Sequence, residues 1–421
     1  MRGPPVAVAA LGGAAAVVLA AGVVRGDAPL PPWIGEGQLA PPAWAHSVAP
    51  KPGERGRPGD LVIFAGASRG SARRGVTAPG ATLGFFGSRR GSGCSDTWWL
   101  VGPMAWTCSD DATLSPAEPN ALDAIAPTDA FPARYFFVGR AGASAYASIE
   151  SAAEGAPDRE LEGGWAVAVV EQREVDGARW ARTSKGLWIA LADLVAARPS
   201  EFRGEAIEDG KLDVAWVLAD RASVFAGPSP KGKGESARVR FQLVHLREES
   251  GPMVRVEEGG WMVSRDLSRP SLAAPPAEAT HPGERWIDVD TATQTLVAYE
   301  GARPVFATLV STGRLSDSPT PPGVHRVWAK LVTSTMGNIA SDADAHYSLE
   351  DVPHVQFFDN GVALHGTYWH QDFGHARSHG CVNLTPLDAR RLFAFTAPRL
   401  AGGWVAAYPI PVDEGTLVRV K

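Results

Sequence analysis

The chain has 421 residues, which at about 150 residues per domain predicts two to four domains rather than one core. Its 40 Lys and Arg against 46 Asp and Glu give a net charge of -6 with no long single-sign run, so the basic footprint of a nucleic-acid binder is missing. With 45% hydrophobic residues, and with 46 Gly and 34 Pro as turn formers, the composition excludes wholesale disorder and points to a folded protein with many turns.

Residues 1–25 read as a signal peptide or an N-terminal anchor. Arg2 precedes an almost uncharged Ala- and Val-rich run from Val6 to Val24. Its length, about 19 residues, lies between the apolar core of a cleaved signal and the ~20 residues that span a bilayer, so both outcomes stay open. Ala20 and Ala21 are small enough to suit cleavage, and no cysteine follows the run, which disfavours a lipoprotein anchor. The expected location is therefore exported, in the periplasm or cell envelope, with membrane attachment if the segment is retained. Residues 26–58 are Pro- and Gly-rich without apolar period and read as an extended linker.

Three β-rich modules are expected next, at 59–118, 132–200 and 212–268. Each closes on a tryptophan followed by a strand and an acidic residue; Trp106, Trp188 and Trp261 are spaced 82 and 73 residues apart. The third is the clearest: Val214–Val217, Ala222–Phe225 with a Gly227-Pro228-Ser229 turn, Val239–His245, and a closure at Gly260-Trp261. It resembles a bacterial SH3-like barrel, with Arg221–Ser229 similar to that family's early strand and turn. This resemblance implies binding to cell-wall peptide or glycan, although the tryptophans would serve equally as barrel cores.

The three cysteines divide naturally. Cys94 and Cys108 stand 14 apart in one Trp-rich segment, while Cys381 stands beside histidines, so a Cys94–Cys108 disulfide and one reactive thiol are expected in an oxidising compartment.

Residues 269–283, with four prolines, read as a second linker, and a sheet-based domain is expected over 284–412. Its strands are Trp286–Asp290, Leu296–Tyr299, Val305–Val310, Val324–Trp328 and Gly361–Leu364, with a polar loop or lid at Asn338–Glu350. One helix follows: Thr385 as N-cap, Pro386 at the first position, Asp388 at the third where its carboxylate can reach back, and Ala389, Leu392 and Phe393 as the apolar face.

Between that last strand and that helix, four histidines (His365, His370, His375 and His379) and Cys381 fall within 17 residues. A lone Cys with His nearby is a candidate nucleophile, because an adjacent imidazole favours the reactive thiolate. Gly380 would permit a close backbone approach and let nearby amides face an oxyanion. Zinc is the rival use of His and Cys, but no helical H-x-x-x-H pair and no C-x-x-C is present, so neither a metal nor another cofactor is expected.

His365-Gly366 followed by Ser378-His379-Gly380-Cys381 closely resembles the active-site motif of the L,D-transpeptidases with YkuD-type catalytic domains. Val310–Gly313 and Thr320–Val324 add matches, and the likeness spans about 284–412. The fold implied is mainly β: a C-terminal sandwich with a short helix after the Cys, preceded by about three small barrels. Carried over, Cys381 is the nucleophile, His365 exchanges the proton, and His379 with Ser378 shapes the loop. Gly366, Ser378, Gly380 and Asn383 support substrate or oxyanion. Asn383 stands where other members often have Arg, which leaves open how substrate is gripped there. His370 lies in a Tyr-Trp-His insert like that of one branch; it and His375 either cap the loop or join the chemistry. The activity implied is transfer of a peptidoglycan stem tetrapeptide, through a Cys thioester and with loss of D-Ala, to an amine, typically making 3-3 cross-links. An L,D-carboxypeptidase on the same fold and a non-catalytic wall-binding adaptor are the alternatives. The partners expected are stem peptides, wall material at the barrels, no nucleic acid, and a membrane if the N-terminus is kept.

Overall fold

The computed structural model describes residues 45–53, 59–120, 131–232, 234–338, 346–411 and 414–421. The expected signal or anchor and most of the first linker lie outside these residues. Among the described residues no helix is long and apolar enough to cross a membrane.

The C-terminal domain contains, in chain order, β1 (Arg285–Asp290), β2 (Thr295–Glu300), β3 (Arg303–Leu309), β4 (Gly323–Arg326), β5 (Ala329–Gly337), β6 (Ser348–Asp359), β7 (Val362–Gly366) and β8 (Val382–Leu384). Helix α1 (Pro386–Phe395) and strands β9 (Trp404–Ala407) and β10 (Leu417–Val420) complete it. One sheet runs β3–β2–β1–β10–β4, so residues beyond 412 occupy an interior place in it. The other runs β8–β7–β6–β5–β9, antiparallel except for the parallel pair β7–β8.

Two-residue alternation sorts the side chains of both sheets. Ile287 and Val289 of β1, Leu364 of β7, and Val382 and Leu384 of β8 meet Ala389 and Leu392 of α1 in one buried core between the sheets. On the other face of β1, Trp286 is fully buried with Tyr299, Trp216 and Phe202, the last two from upstream of the domain. The first sheet is thus covered on both faces, which explains strands more uniformly apolar than a surface sheet needs.

The polar stretch expected as a lid is only partly one. Ser348–Glu350 already belongs to β6, where Gly337 faces Ser348 and Met336 faces Leu349 in the antiparallel β5–β6 pair; residues 339–345 of the expected lid lie outside the described residues. At α1, the Thr385 side chain accepts from the Asp388 amide as a cap should (3.3 Å). The Asp388 carboxylate reaches back to the Thr385 side chain, and it also accepts from Thr308 Oγ1 (2.6 Å) and from the Gly204 amide (3.0 Å), tying an upstream segment to the helix, while burial raises its pKa. Next to that tie, Glu205–Ala206 adds a short edge strand to β3.

Upstream, all three β-rich regions pack on this domain. In the first, Arg73–Thr77 pairs with β9, and Val48, Leu61 and Trp99 share a core with Trp404 and Ala407. The Cys94 and Cys108 sulfurs are 2.02 Å apart, and Cys381 is free. In the second, strands Arg134–Val138 and Ala166–Val175 pair antiparallel, and Ala166 continues into β6 opposite Leu349. In the third, the strand expected over Val239–His245 is broken: Phe241 takes φ 68°, so one strand ends at Val239 and the next begins at Leu243. Residues 269–283 hold no helix or strand but do not hang free. The Ala273 amide donates to Tyr299 Oη (3.1 Å), Arg419 to the Ala274 carbonyl (3.1 Å) and Arg326 to the Glu278 carbonyl (3.0 Å).

Candidate active site

The parallel register of β7 and β8 sets Leu364 beside Val382, His365 beside Asn383 and Gly366 beside Leu384. Because side chains alternate, Leu364, Val382 and Leu384 enter the core while Ala363, His365, Cys381 and Asn383 share the opposite face. That face looks into a cleft of about 700 Å³ whose lining includes His365, His370, Ser378, His379, Cys381 and Asn383. Sequence separation between His365 and Cys381 becomes spatial proximity through one strand pair.

His365 is 2% exposed, and its Nδ1 lies 3.1 Å from the Gly366 carbonyl. A carbonyl only accepts, so Nδ1 carries the proton and Nε2 keeps the lone pair. Burial pushes the imidazole down to about 4, and burial also pushes the Cys381 thiol up. The resting pair is therefore neutral thiol and neutral imidazole. The expected cationic activation of the thiolate is absent because desolvation, which opposes charge on both partners, dominates here.

The loop before Cys381 is held by its own hydroxyls. Ser378 Oγ accepts from the Gly380 amide (3.1 Å) and donates to the Cys381 carbonyl, so the Gly380 amide is already engaged. Thr320 Oγ1 donates to the Gly380 carbonyl (2.7 Å) and accepts from the Gly313 amide (2.9 Å). Gly380 is needed for its φ of 118°. The close approach belongs to its neighbour: a Cβ on Gly313 would stand 2.9 Å from the Gly380 Cα and 2.1 Å from the Ser318 carbonyl oxygen. Thr320 and Gly313 lie in the two upstream matches noted in the sequence, where their motifs were the signal but their contact with Gly380 was not legible.

Asn383 is buried, and its backbone exchanges hydrogen bonds with Ser311 in both directions (2.9 and 3.0 Å). Its side-chain amide lies 2.8 Å from His370 Nε2, while His370 Nδ1 accepts from the Asp372 amide at 3.1 Å. The Asn383 atom that faces His370 Nε2 is Nδ2, and Asn383 Oδ1 is buried with no hydrogen-bond partner among the described residues. Burial pushes His370 down to about 4 as well. His375 is exposed; it is its carbonyl that matters, accepting from Ser311 Oγ at 2.6 Å. His379 is exposed at the rim and stacked on Tyr347, with ring centroids 5.6 Å apart. Tyr347 escaped the sequence reading because it lies 32 positions away, just before β6.

Residues 284–420 match the model of the YkuD family, the L,D-transpeptidase catalytic domain. These residues form an L,D-transpeptidase catalytic domain. Among curated proteins nothing matches. Among solved structures, the domain is similar to an L,D-transpeptidase from Stackebrandtia nassauensis, at 27% identity over 34% of this chain and 57% of that one, with a TM-score of 0.24. The catalytic domain of the Enterococcus faecium L,D-transpeptidase is 26% identical over 34% of this chain and 99% of that one, with a TM-score of 0.26. An L,D-transpeptidase from Mycobacterium smegmatis aligns over 61% of this chain and 99% of that one, at 15% identity and a TM-score of 0.27. The chain spans between 49% and 57% of the length of the first three structures it matches. At such TM-scores the superpositions add nothing to the family match. What the family match leaves to the structure is how the L,D-transpeptidase domain sits among the three upstream regions.

Proposed function

We propose that the chain is an exported peptidoglycan L,D-transpeptidase acting through Cys381 and His365. The observation that carries this reading is the β7–β8 register, which sets both side chains on one face over one cleft. His365 Nε2 takes the proton from Cys381 Sγ as the sulfur attacks the carbonyl of the diamino acid at the third position of a stem tetrapeptide. Collapse breaks the peptide bond, the departing D-Ala amine takes the proton from His365, and a thioester remains. An amine acceptor then attacks, gives its proton to His365, and leaves the acyl group in a new amide while the thiol is restored. A neighbouring stem's diamino acid as acceptor makes a 3-3 cross-link. His379, exposed at the rim and stacked on Tyr347, borders the path by which donor or acceptor reaches the sulfur.

Support for export comes from the Val6–Val24 run and from the Cys94–Cys108 bridge, a bond suited to an oxidising compartment. The upstream β modules, if SH3-like in function as well as in sequence, would hold the enzyme on wall polymer and raise the effective substrate concentration.

The test is mass spectrometry of muropeptides after incubation of the protein with tetrapeptide-rich sacculi. Loss of D-Ala with the appearance of 3-3 dimers is expected. Tripeptides without dimers would mean water is the acceptor, and unchanged muropeptides with retained binding would mean a wall-binding adaptor.

A further inference from the structure

We propose that the second β-rich region, 132–200, is part of the catalytic cleft: Phe137 and the turn at Gly164 form a subsite for an apolar segment of the acyl-donor peptide. The identity of that peptide rests on the function proposed above.

Arg134–Val138 after its first residue, and the first half of Ala166–Val175, are apolar on both faces. In Arg134–Val138, Phe136 and Val138 point into the module's own core; so do Val167 and Val169 of Ala166–Val175. The alternate residues, Tyr135, Phe137, Ala166 and Ala168, would face water in a free-standing module. Here they meet Tyr368, Leu349 and Trp369 of the transpeptidase domain. The alanines permit close approach of the two backbones, and Ala166 pairs with Leu349 of β6.

The union is fixed rather than incidental. Tyr135 and Tyr368 stack with centroids 3.9 Å apart. Tyr135 Oη donates to the Asp351 carbonyl (2.6 Å), Tyr368 Oη to the Glu350 carbonyl (3.0 Å), and the Ala168 amide to the Glu350 carboxylate (3.2 Å). Gln371, two residues past Trp369, donates to the Arg198 carbonyl at the module's far end (2.9 Å). These contacts hold the module against β6 and the loop after His365, the two elements that frame the cleft.

Phe137 is the member of this face that the interface does not finish covering. It remains half-exposed and lines the cleft together with Gly164, Met336, Leu349 and Trp369. A Cβ on Gly164 would meet nothing within 4 Å, so the turn presents bare backbone to open space. The charged lining, Asp372 and Arg377, comes from the transpeptidase domain, whereas the module contributes only apolar and backbone surface. Aliphatic parts of a peptide are the chemistry that such a wall fits, since methyl and methylene groups gain by leaving water there.

Calorimetry on the full chain tests this without requiring turnover. A disaccharide tetrapeptide is titrated into Cys381→Ala and into the same variant carrying Phe137→Ala or Phe137→Leu. A rise in Kd of about tenfold for Phe137→Ala, with a smaller rise for Phe137→Leu, is expected from losing most of a buried ring's contact. Unchanged Kd, or no tetrapeptide binding to Cys381→Ala at all, would overturn the subsite. Loss of binding accompanied by an equal fall in melting temperature for both substitutions would also overturn it, by making Phe137 a docking residue only. If tetrapeptide binds and Phe137→Ala weakens it, yet the intact enzyme leaves muropeptides unchanged, the subsite stands and the transpeptidase reading falls.

Discussion

The two walls of the cleft are built on opposite principles. The inner wall, β7 and β8, brings His365 and Cys381 together by register within 17 residues of sequence, and burial keeps the imidazole neutral. The outer wall is assembled from Tyr347 and Leu349 at the start of β6, His379 at the rim, and Phe137 from more than 200 residues upstream. Chemistry is placed by one strand pair; shape is placed by the docking of separate modules. Substitutions on the inner wall should therefore abolish turnover with little effect on binding, whereas those on the outer wall should change binding or docking and leave the chemical step in place.

The largest effect expected is at Cys381. Cys381→Ala should lower kcat at least about ten-thousand-fold while the melting temperature stays near that of the parent, since a half-buried thiol contributes little packing. His365→Ala should cost nearly as much, about a thousand-fold, and adding it to Cys381→Ala should cost almost nothing further because the two act as a unit. Steady-state rates of the single and double variants decide this.

The inner wall also makes a pH prediction. With His365 pushed down to about 4, the imidazole is a free base through the neutral range and takes up a proton only in strong acid. The acid limb of kcat/KM should fall near pH 4, not near the 6.5 of an unperturbed histidine. Cys381, raised by burial, should stay a thiol through the neutral range, so alkylation by iodoacetamide should keep climbing past the pH at which an ordinary cysteine levels off. An acid limb between 6 and 7 would show that burial does not depress the working imidazole as the structure implies.

On the outer wall the effects shrink. His379→Ala, which removes an exposed ring stacked on Tyr347, should lower kcat/KM about tenfold or less and mainly through KM. If it proves more damaging than His365→Ala, the roles of the two histidines are exchanged. Tyr135→Phe deletes one buried hydrogen bond to the Asp351 carbonyl but keeps the ring on Tyr368, so it should cost about 1 kcal/mol of stability and leave kcat unchanged. Thermal melts and steady-state kinetics on the same samples separate the two outcomes.

The same contrast explains what could be read from the sequence. Five strands of the C-terminal domain (β1 to β4 and β7), the helix from Pro386 with its Thr385 cap, and the His365 and Cys381 motif were legible because each is a local pattern: alternation, a capping residue, a short spacing; β5, β6, β8, β9 and β10 were not. The further partners of Asp388 were not, because Thr308 and Gly204 reach it only through the tertiary fold; local capping chemistry pointed to Thr385 alone. Nor was the break at Phe241, where one residue in the left-handed region divides an apparently continuous apolar run. The neutrality of His365 and Cys381 escaped for a similar reason: proximity to an imidazole can be read from spacing, but burial cannot. In the second module the clue was present as two strands apolar on both faces, Tyr135–Val138 and Ala166–Val169; what lay on the second face could only come from the fold.

In the function proposed above, one parallel strand pair makes Cys381 an acyl carrier served by a neutral His365. Intact-protein mass spectrometry, after mixing the enzyme with a stem tetrapeptide in the absence of any amine acceptor, tests it most directly. The expected result is a gain equal to the tetrapeptide less D-Ala, mapped to Cys381, absent from Cys381→Ala and strongly slowed in His365→Ala. An adduct that persists in Cys381→Ala, or one that forms at the parent rate in His365→Ala, would contradict it.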